Sequence, residues 1–355
     1  MTQSATDPDR SYKIGVVGAG LIGRKHIDIA AAANALHAII DPFEPGRELA
    51  QEKQCLWTPN LDEYLSSHKP DGVIIATPNQ LHVAHGLACT RHKVPMLIEK
   101  PIADIPEQAE ELVKQAAAAG VPILVGHHRR HNPLIKAAKS SIVEGKIGQI
   151  VSVHAQFWLR KPDDYFDVEW RRSKGAGPIF INLIHDIDLL RHLCGEVVQV
   201  QAMEANRTRG HEVEDSAAVL LKFDNGALGT VSVSDAIPAP WSWELTAKEN
   251  PAYPATDANC YTIGGTMGAL SIPDLTLWTQ PQEQSWWAPI DHNNVPYDAA
   301  DPLPLQFQHF LDVIDGKVEP LASGVEGLRT LRVISAIKAA GETGKAQTVA
   351  STKLA

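Results

Sequence analysis

The fold is decided by one stretch near the start of the chain, YKIGVVGAGLIG at residues 12–23. Residues 12–17 form a short apolar run typical of a buried strand, and the alanine-rich segment 21–33 predicts a helix. The glycines between them permit a tight turn, a close approach of backbone to a pyrophosphate, and packing of helix on strand. Free N–H groups at a helix start also favour phosphate. We therefore expect a dinucleotide cradle formed by Gly18, Gly20, Leu21, Ile22 and Gly23.

Strand and helix patterns continue to alternate after this stretch. Further apolar strands are predicted at 36–40, 72–76, 96–98 and 123–125, with helices at 61–66 and 106–119. This alternation is typical of a parallel sheet covered on both faces. We expect an α/β, doubly wound Rossmann domain over residues 11–131, after a disordered tail at 1–10.

The pattern changes near Asn132-Pro133. Alternating apolar and polar residues predict strands at 149–158, 197–205, 217–223, 228–233, 260–263, 269–272 and 275–278. Asp224-Asn225-Gly226 marks a hairpin. Helices are expected at 178–193, 305–314 and 325–340, and a surface loop at 238–259. We therefore expect residues 132–355 to form an α+β domain with a large, open, mostly antiparallel sheet.

Composition narrows the class of protein. The 355 residues carry a formal net charge of -10, which argues against nucleic-acid binding. The four cysteines form no C-x-x-C pair, and the polar first ten residues lack the apolar core of a secretory signal. No apolar run approaches the length of a membrane span. We expect a cytoplasmic protein with no membrane partner.

An acid follows the second predicted strand. Asp41 stands where a carboxylate accepts hydrogen bonds from the ribose hydroxyls of NAD and repels the 2′-phosphate of NADP. A turn aspartate before Pro42 is the alternative. The next basic residue is Arg47, so the pattern favours NAD.

Two further strand ends carry polar residues. Thr77, Pro78 and Asn79 follow the third strand, where the nicotinamide half of the cofactor is expected. Glu99-Lys100-Pro101 follows the next strand. Lys100 is a candidate proton shuttle or substrate-orienting cation, or else a surface lysine paired with Glu99.

These motifs together resemble the family of glucose–fructose oxidoreductase, inositol dehydrogenase and the rhizopine-catabolism protein (Gfo/Idh/MocA). The resemblance covers nearly the whole chain. Its elements are the glycine loop, Asp41, Thr77-Pro78-Asn79-x-x-His82, Glu99-Lys100-Pro101, the run 126–133 (GHHRRHNP), Gly175-Ala176-Gly177 and His185-x-x-Asp188.

The resemblance implies an NAD-dependent dehydrogenase acting on CH–OH groups (EC 1.1.1 type). The substrate is a sugar, a cyclitol or a similar polyhydroxylated small molecule. By this likeness Lys100 is the motif lysine and His185 the catalytic histidine, while His82 and Glu99 belong to the cofactor site. Members often assemble as homodimers or homotetramers through the open sheet.

This chain departs from the family pattern at the carboxylate that usually accompanies the catalytic histidine in a Lys–Asp–His proton relay. Many members have an aspartate four residues before the histidine, where this chain has Ile181. Residues four apart share one face of an α-helix. Asn182 is expected to reach the same pocket, and Asp186 or Asp188 to orient the histidine, with Asp188 the better placed.

The remaining candidates are weaker. His128 and Arg129 follow a strand end and are expected to contact substrate, and Trp170 to wall the pocket. Arg160, Lys161, Arg171 and Arg172 form either an anion site or a solvated rim. His127, His128 and His131 lack the four-ligand set of a zinc site, so we expect no metal.

Three other functions stay open. The substrate could be a cyclic dihydrodiol carboxylate. The chain could be an NAD-binding regulator without turnover, because fold does not fix function. A lyase-like or glycoside-processing reaction could use NAD transiently, which would leave no net NADH.

Overall fold

The computed structural model describes residues 11–173 and 175–352. The tail expected at residues 1–10 lies outside the described residues. The chain forms two compact units, and neither is a single continuous segment. Of the described residues, the first unit contains 11–128 together with 302–331 and 352, and the second contains those of 129–301 together with 332–351.

The first unit is built on a parallel sheet, as the sequence predicts. It contains the five predicted strands and a sixth, residues 56–58, that the apolar pattern did not indicate. Its order is β3-β2-β1-β4-β5-β6. The strands are β1 Ile14–Val17, β2 Leu36–Ile40, β3 Leu56–Thr58, β4 Gly72–Ile75, β5 Met96–Ile98 and β6 Ile123–Val125. Because β1, β4, β5 and β6 are buried along their whole length, they read in the sequence as continuous apolar runs.

Five helices connect these strands. They are α1 Leu21–Ala32, α2 Glu44–Glu52, α3 Leu61–His68, α4 His82–Arg91 and α5 Pro106–Ala119. The prediction for α5 is confirmed at both ends, with a proline in its first turn and Gly120 in the left-handed region at φ 67°. The direction in which the chain adds strands reverses between β1 and β4, and ligands bind at such a topological switch point.

The second unit is built on a nine-stranded sheet in the order β14-β13-β12-β11-β7-β10-β9-β8-β15. Only β7 and β10 pair in parallel; the other pairs are antiparallel. The strands are β7 Ile150–Trp158, β8 Val197–Ala205, β9 Ser216–Phe223, β10 Leu228–Ser234, β11 Tyr261–Gly265, β12 Gly268–Ile272, β13 Thr276–Thr279, β14 Asp291–Asn294 and β15 Gln347–Thr348. The hairpin between β9 and β10 is confirmed, with Gly226 at φ 90°.

Helices of the second unit are α6 Pro133–Val143, α7 Ile184–Cys194 and α8 Trp243–Thr246. Residues Ile179–Leu183, immediately before α7, form a π-helical turn. The sequence predicts one continuous helix here, because a π turn leaves no distinct apolar period. One face of the sheet is covered by apolar side chains of α6 and α7, including Leu134, Ile187 and Leu190.

The last helices, α9 Pro302–Ile314 and α10 Gly324–Thr343, correct the expected domain division. Helix α9 belongs to the first unit, where Phe307 and Phe310 pack with Ile14 and Ile74. Helix α10 is divided between the units after residue 331. An amphipathic pattern shows that a helix buries one face but does not show against which sheet. The change of unit at 128/129 lies close to the expected boundary at 131/132.

Among the described helices, none has the length and apolar character that crossing a membrane requires. Within residues 11–173 and 175–352, no group of three or more His, Cys, Asp and Glu side chains is placed to hold a metal ion.

Candidate active site

The glycine loop between β1 and α1 has the geometry of a phosphate cradle. A Cβ on Gly18 would lie 2.7 Å from the Ala76 carbonyl oxygen, and one on Gly23 only 2.0 Å from that of Gly18. A Cβ on Gly20 would meet no described atom within 4 Å, and no described side chain caps α1 there. The start of α1 therefore opens onto free space with its N–H groups available to an anion.

Asp41, at the end of β2, shapes this loop. Its Oδ2 accepts a hydrogen bond from the Ala19 N–H at 2.7 Å and its Oδ1 one from the Phe43 N–H at 2.9 Å. Each carboxylate oxygen has a second lone pair for a ribose hydroxyl. The residue expected to bind ribose thus also holds the backbone of the phosphate loop.

The loop after β4 is fixed by His82. Its Nδ1 lies 2.7 Å from the Pro101 carbonyl oxygen and its Nε2 2.9 Å from that of Thr77. The buried ring therefore ties two strand ends together, and both nitrogens are engaged in doing so. Pro78 is exposed and Asn79 partly exposed, so these two remain accessible at this edge of the sheet.

Glu99 holds the end of β5 in place. It is buried, and its Oε1 lies 2.8 Å from Nε2 of His26 on α1. Burial works to raise the pKa of Glu99, but the hydrogen bond and charge of His26, with the charges of His128 and Lys100, outweigh it and lower the pKa to about 2. Gly126 leaves the room that this carboxylate needs, since a Cβ there would lie 2.7 Å from Oε2.

Lys100 stands between buried Glu99 and buried Pro101 and is itself partly exposed. Its backbone N–H donates to Glu99 Oε2 at 3.2 Å. Glu99 was expected in the cofactor site. In the structure its carboxylate links the backbone of Lys100 to His26 on helix α1.

In the second unit, His185 lies in the first turn of α7. Within residues 183–191, all of them described, it alone is not buried. Asn182 lies in the π turn, and its Oδ1 has no hydrogen-bond partner among the described residues. The expected face-sharing of Ile181 and His185 assumed α-helical spacing, which the π turn does not keep.

Asp188 is engaged elsewhere. Its two carboxylate oxygens accept hydrogen bonds from Arg130 Nε and Nη2, each at 2.8 Å, and both side chains are almost fully buried. Such a two-point ion pair orients the helix. Asp188 is only 1% exposed, so its carboxylate is not accessible to a ligand in this structure.

Arg129 lies at the centre of a buried polar cluster with Asp186, Glu244 and Tyr261. Its Nη2 donates to Glu244 Oε1 at 2.7 Å, and its Nη1 lies 3.8 Å from Asp186 Oδ1. The guanidinium also lies over the ring of Trp243, 5.3 Å from its centroid. Arg129 Nε and Nη1, Asp186 Oδ2 and Glu244 Oε2 find no hydrogen-bond partner in the part of the chain that the structure describes.

This cluster carries one cation for two carboxylates. Burial raises the pKa of Asp186 to about 7, and the charge of Glu244 adds to this effect, while Arg129 and the hydroxyl of Tyr261, which donates to Asp186, oppose it. Asp186 therefore titrates near neutral pH. Glu244 and Tyr261 come from distant parts of the sequence, and no local motif indicated them.

The basic candidates fall into two pairs: Lys161 and Arg171 lie over the ring of Tyr165, and Arg160 and Arg172 line one cavity. Arg171 lies over the rings of Tyr165 and Trp170, at 4.1 and 5.7 Å from the centroids. Lys161 is buried, with its Nζ 3.5 Å from Asp235 Oδ2, and burial lowers its pKa despite that carboxylate. Trp170 is 57% exposed, and His128 is partly buried.

Two models of one protein family match this chain. Residues 12–127 match the model described as an oxidoreductase family with an NAD-binding Rossmann fold, and residues 135–271 match the GFO/IDH/MocA C-terminal domain. The 2,7-anhydro-N-acetylneuraminate hydratase of Escherichia coli is 31% identical over 240 residues, which are 64% of this chain and 62% of the relative. The 1,5-anhydro-D-fructose reductase of Ensifer adhaerens is 25% identical over 81% of this chain and 82% of its own.

A solved structure shares the whole architecture. The WlbA dehydrogenase from Bordetella pertussis, in complex with NADH and UDP-GlcNAcA, superposes with a TM-score of 0.77 at 25% identity, over 96% of this chain and 100% of the other. The two family models and the similarity of fold indicate the same family. The chain therefore belongs to the Gfo/Idh/MocA family of oxidoreductases and carries its NAD-binding Rossmann domain.

Proposed function

We propose that this protein is an NAD-dependent dehydrogenase that oxidises a hydroxyl carbon of a sugar, a cyclitol or a similar polyhydroxylated small molecule. The observation that carries the proposal is Lys100, a partly exposed cation at the end of β5 whose neighbour Glu99 ties it to the helix of the phosphate cradle. The reductase and dehydrogenase relatives support this class of reaction.

The residues divide the work as follows. A bound NAD would supply the acceptor for the hydride of the carbinol carbon. Lys100 donates a hydrogen bond to the reacting oxygen and stabilises the negative charge that develops on it. His185, accessible on an otherwise buried helix turn, takes the hydroxyl proton as general base.

Other side chains orient the substrate. Asn182 offers an unpartnered amide oxygen to a second hydroxyl. His128, Arg129 and Trp170 stay candidate substrate contacts. Asp188 is left out, because it is buried in an ion pair with Arg130.

The cofactor site takes NAD rather than NADP in this proposal. Asp41 presents a carboxylate at the end of β2, which favours ribose hydroxyls and repels a 2′-phosphate. Gly18, Gly20, Leu21, Ile22 and Gly23 hold the pyrophosphate, and Thr77, Pro78 and Asn79 line the nicotinamide side.

A second candidate function is a reaction in which NAD is reduced and reoxidised within one turnover. It is favoured by the name of the Escherichia coli relative, a hydratase. Such a reaction would consume substrate without releasing NADH. The same assay of NADH release distinguishes the two remaining alternatives. A dehydrogenase of cyclic dihydrodiol carboxylates would release NADH with a dihydrodiol acid, and an NAD-binding regulator would not release NADH with any substrate.

The test of residue roles uses Lys100→Ala and His185→Ala. We expect each to lower kcat by about 100-fold or more, while NADH affinity stays within twofold of wild type. Lys114→Ala and His92→Ala, which replace exposed residues of the same types, are the matched controls. Wild-type kcat in either site variant would refute the role given to that residue.

We also propose that the protein is a homodimer or homotetramer assembled through the open sheet and located in the cytoplasm. Met203, Leu220 and Leu228 are between 54% and 76% exposed on β8, β9 and β10, and the strand registers place them on the same face of the sheet. All four cysteines are free, which suits a reducing compartment. Leu220→Glu should give a monomer in light scattering, whereas an unchanged oligomer would exclude this face.

A further inference from the structure

The last glycine of the motif Gly175-Ala176-Gly177 is required by a residue that is distant in the sequence. Gly177 has φ 91°, and a Cβ on it would lie 2.5 Å from Oε1 of Glu214. The glycine therefore makes room for a carboxylate that arrives from just before strand β9. No local spacing relates these two residues.

Glu214 is anchored on both oxygens. Its side chain is fully buried, Oε1 accepts a hydrogen bond from the Ile179 N–H at 3.0 Å, and Oε2 accepts one from Nζ of Lys338 at 2.7 Å. Lys338, on α10, also contacts Glu204 Oε2 at 3.0 Å. We call Gly177, Glu214 and Lys338 the helix anchor.

The anchor acts at the first residue of the π turn. Ile179 N–H is one of the donors that a helix start leaves without an internal partner. A carboxylate at that position is favoured by the helix dipole as well. The π turn has less regular hydrogen bonding than an α-helix and often lies at functional sites, so its position depends on such external contacts.

The π turn leads directly into the functional part of α7. Asn182 lies within it, and His185 follows its last residue by two positions. At the other end, the Arg130–Asp188 pair holds the next turn of the helix. His185 therefore lies between two buried charge contacts, and the anchor is the one at the start of the π turn.

We propose that Glu214, held by Lys338, is a positioning residue for His185 and Asn182. It sets where the π turn starts and so where the general base lies relative to the substrate. The inference rests on the proposed dehydrogenase function for its kinetic readout. A misplacement of about 1 Å in such a group can cost about 100-fold in rate.

The test compares three variants of the anchor with a matched control. Glu214→Ala removes both contacts, Glu214→Gln keeps an acceptor for Ile179 N–H, and Lys338→Met removes the counter-ion. The control is Glu196→Gln, which disrupts an ion pair of 2.8 Å with Arg191 at the far end of the same helix. The measurements are kcat, the substrate KM, NADH affinity and amide hydrogen exchange of residues 179–185.

We expect kcat to fall by about 10- to 100-fold in Glu214→Ala and less in Glu214→Gln. NADH affinity should stay within twofold, and exchange of the Ile179 amide should rise in step with the loss of kcat. Glu196→Gln should leave kcat unchanged. Should Glu214→Ala fail to fold, Glu214→Gln and Lys338→Met carry the same comparison.

Wild-type kcat in the folded anchor variants, or an equal loss in Glu196→Gln, would overturn the proposal. Failure of the dehydrogenase function is distinguishable, because the wild-type protein itself would then show no turnover. In that case amide exchange decides: unchanged protection of residues 179–185 in Glu214→Gln and Lys338→Met would refute the anchor, and selective loss would support it.

Discussion

The two units fix their polar side chains by different means. In the first unit, residues at strand ends hold nearby backbone, as Asp41 does with the Ala19 N–H, 22 positions away. In the second unit, buried charges meet over long separations: 58 positions for Arg130 and Asp188, 115 for Arg129 and Glu244, and 124 for Lys338 and Glu214. The glycine loop and Asp41 can therefore be predicted from the sequence, whereas the His26–Glu99 pair, 73 positions apart, and the contacts of the helix that carries His185 depend on tertiary pairing.

The largest expected effect tests the pairing in the second unit. Asp188→Ala leaves the Arg130 guanidinium buried without its carboxylate, and breaking such a pair costs about 3–5 kcal/mol of unfolding free energy. Equilibrium urea unfolding measures it. Asp164→Ala, which removes an exposed carboxylate, is the control. A loss of unfolding free energy below about 1 kcal/mol, as for an exposed ion pair, would show that the Arg130–Asp188 pair does not stabilise the fold.

The next prediction concerns pH and the buried cluster around Asp186. Because burial raises its folded pKa to about 7, above the ordinary value of 3.8, its contribution to stability is complete below pH 3.8 and is lost as the pH rises through 7. Arg129, Glu244 and Tyr261 face this carboxyl. Asp186→Asn should remove that part of the slope, so its stability relative to wild type rises between pH 4 and 8. Parallel pH profiles for the two proteins would show that Asp186 does not titrate there.

The corresponding prediction for the first unit has the opposite sign. Since Glu99 has its pKa lowered to about 2, its contribution is present above its ordinary value of 4.5 and is lost as the pH falls toward 2. Glu99→Gln should lack this acid-dependent loss and be less stable at neutral pH by about 1–3 kcal/mol. Urea unfolding at pH 7 and pH 3 gives both values, and a variant with wild-type stability at pH 7 would contradict the role.

The smallest effect is expected for Asp41→Ala. It should weaken NAD binding by about tenfold, equal to about 1.4 kcal/mol, and NADP binding less. Calorimetric titration with both nucleotides measures the difference. Equal losses for the two would mean that Asp41 supports the glycine loop but does not select the cofactor.

The same contrast explains what the sequence can predict. The first unit follows from local patterns: apolar runs give the strands, and the glycine spacing gives the cradle. The predictions that Glu99 and His82 contact the cofactor came from the motif and stay predictions. The structure shows only their partners within the chain, which are His26 for Glu99 and two backbone carbonyls for His82. Because their hydrogen-bond partners lie on other segments of the chain, the motif predicts where these two side chains lie but not what they contact.

In the second unit the sequence indicates strands and the hairpin but not the side-chain network. The π turn was missed because apolar periodicity does not separate it from an α-helix. Asp188 was favoured by its i+3 spacing from His185, yet Arg130 occupies it. Gly177 was the local signal of the anchor, since a glycine just before a helix indicates either a positive φ or a close neighbour where its side chain would lie.

The central claim is tested most directly by NADH formation from NAD across a panel of sugars, cyclitols and dihydrodiols. The account predicts net NADH release with at least one polyol, abolished in Lys100→Ala and His185→Ala although both still bind NADH. NADH binding without turnover of any polyol would contradict it. So would consumption of a substrate with the cofactor held and recycled, without net NADH.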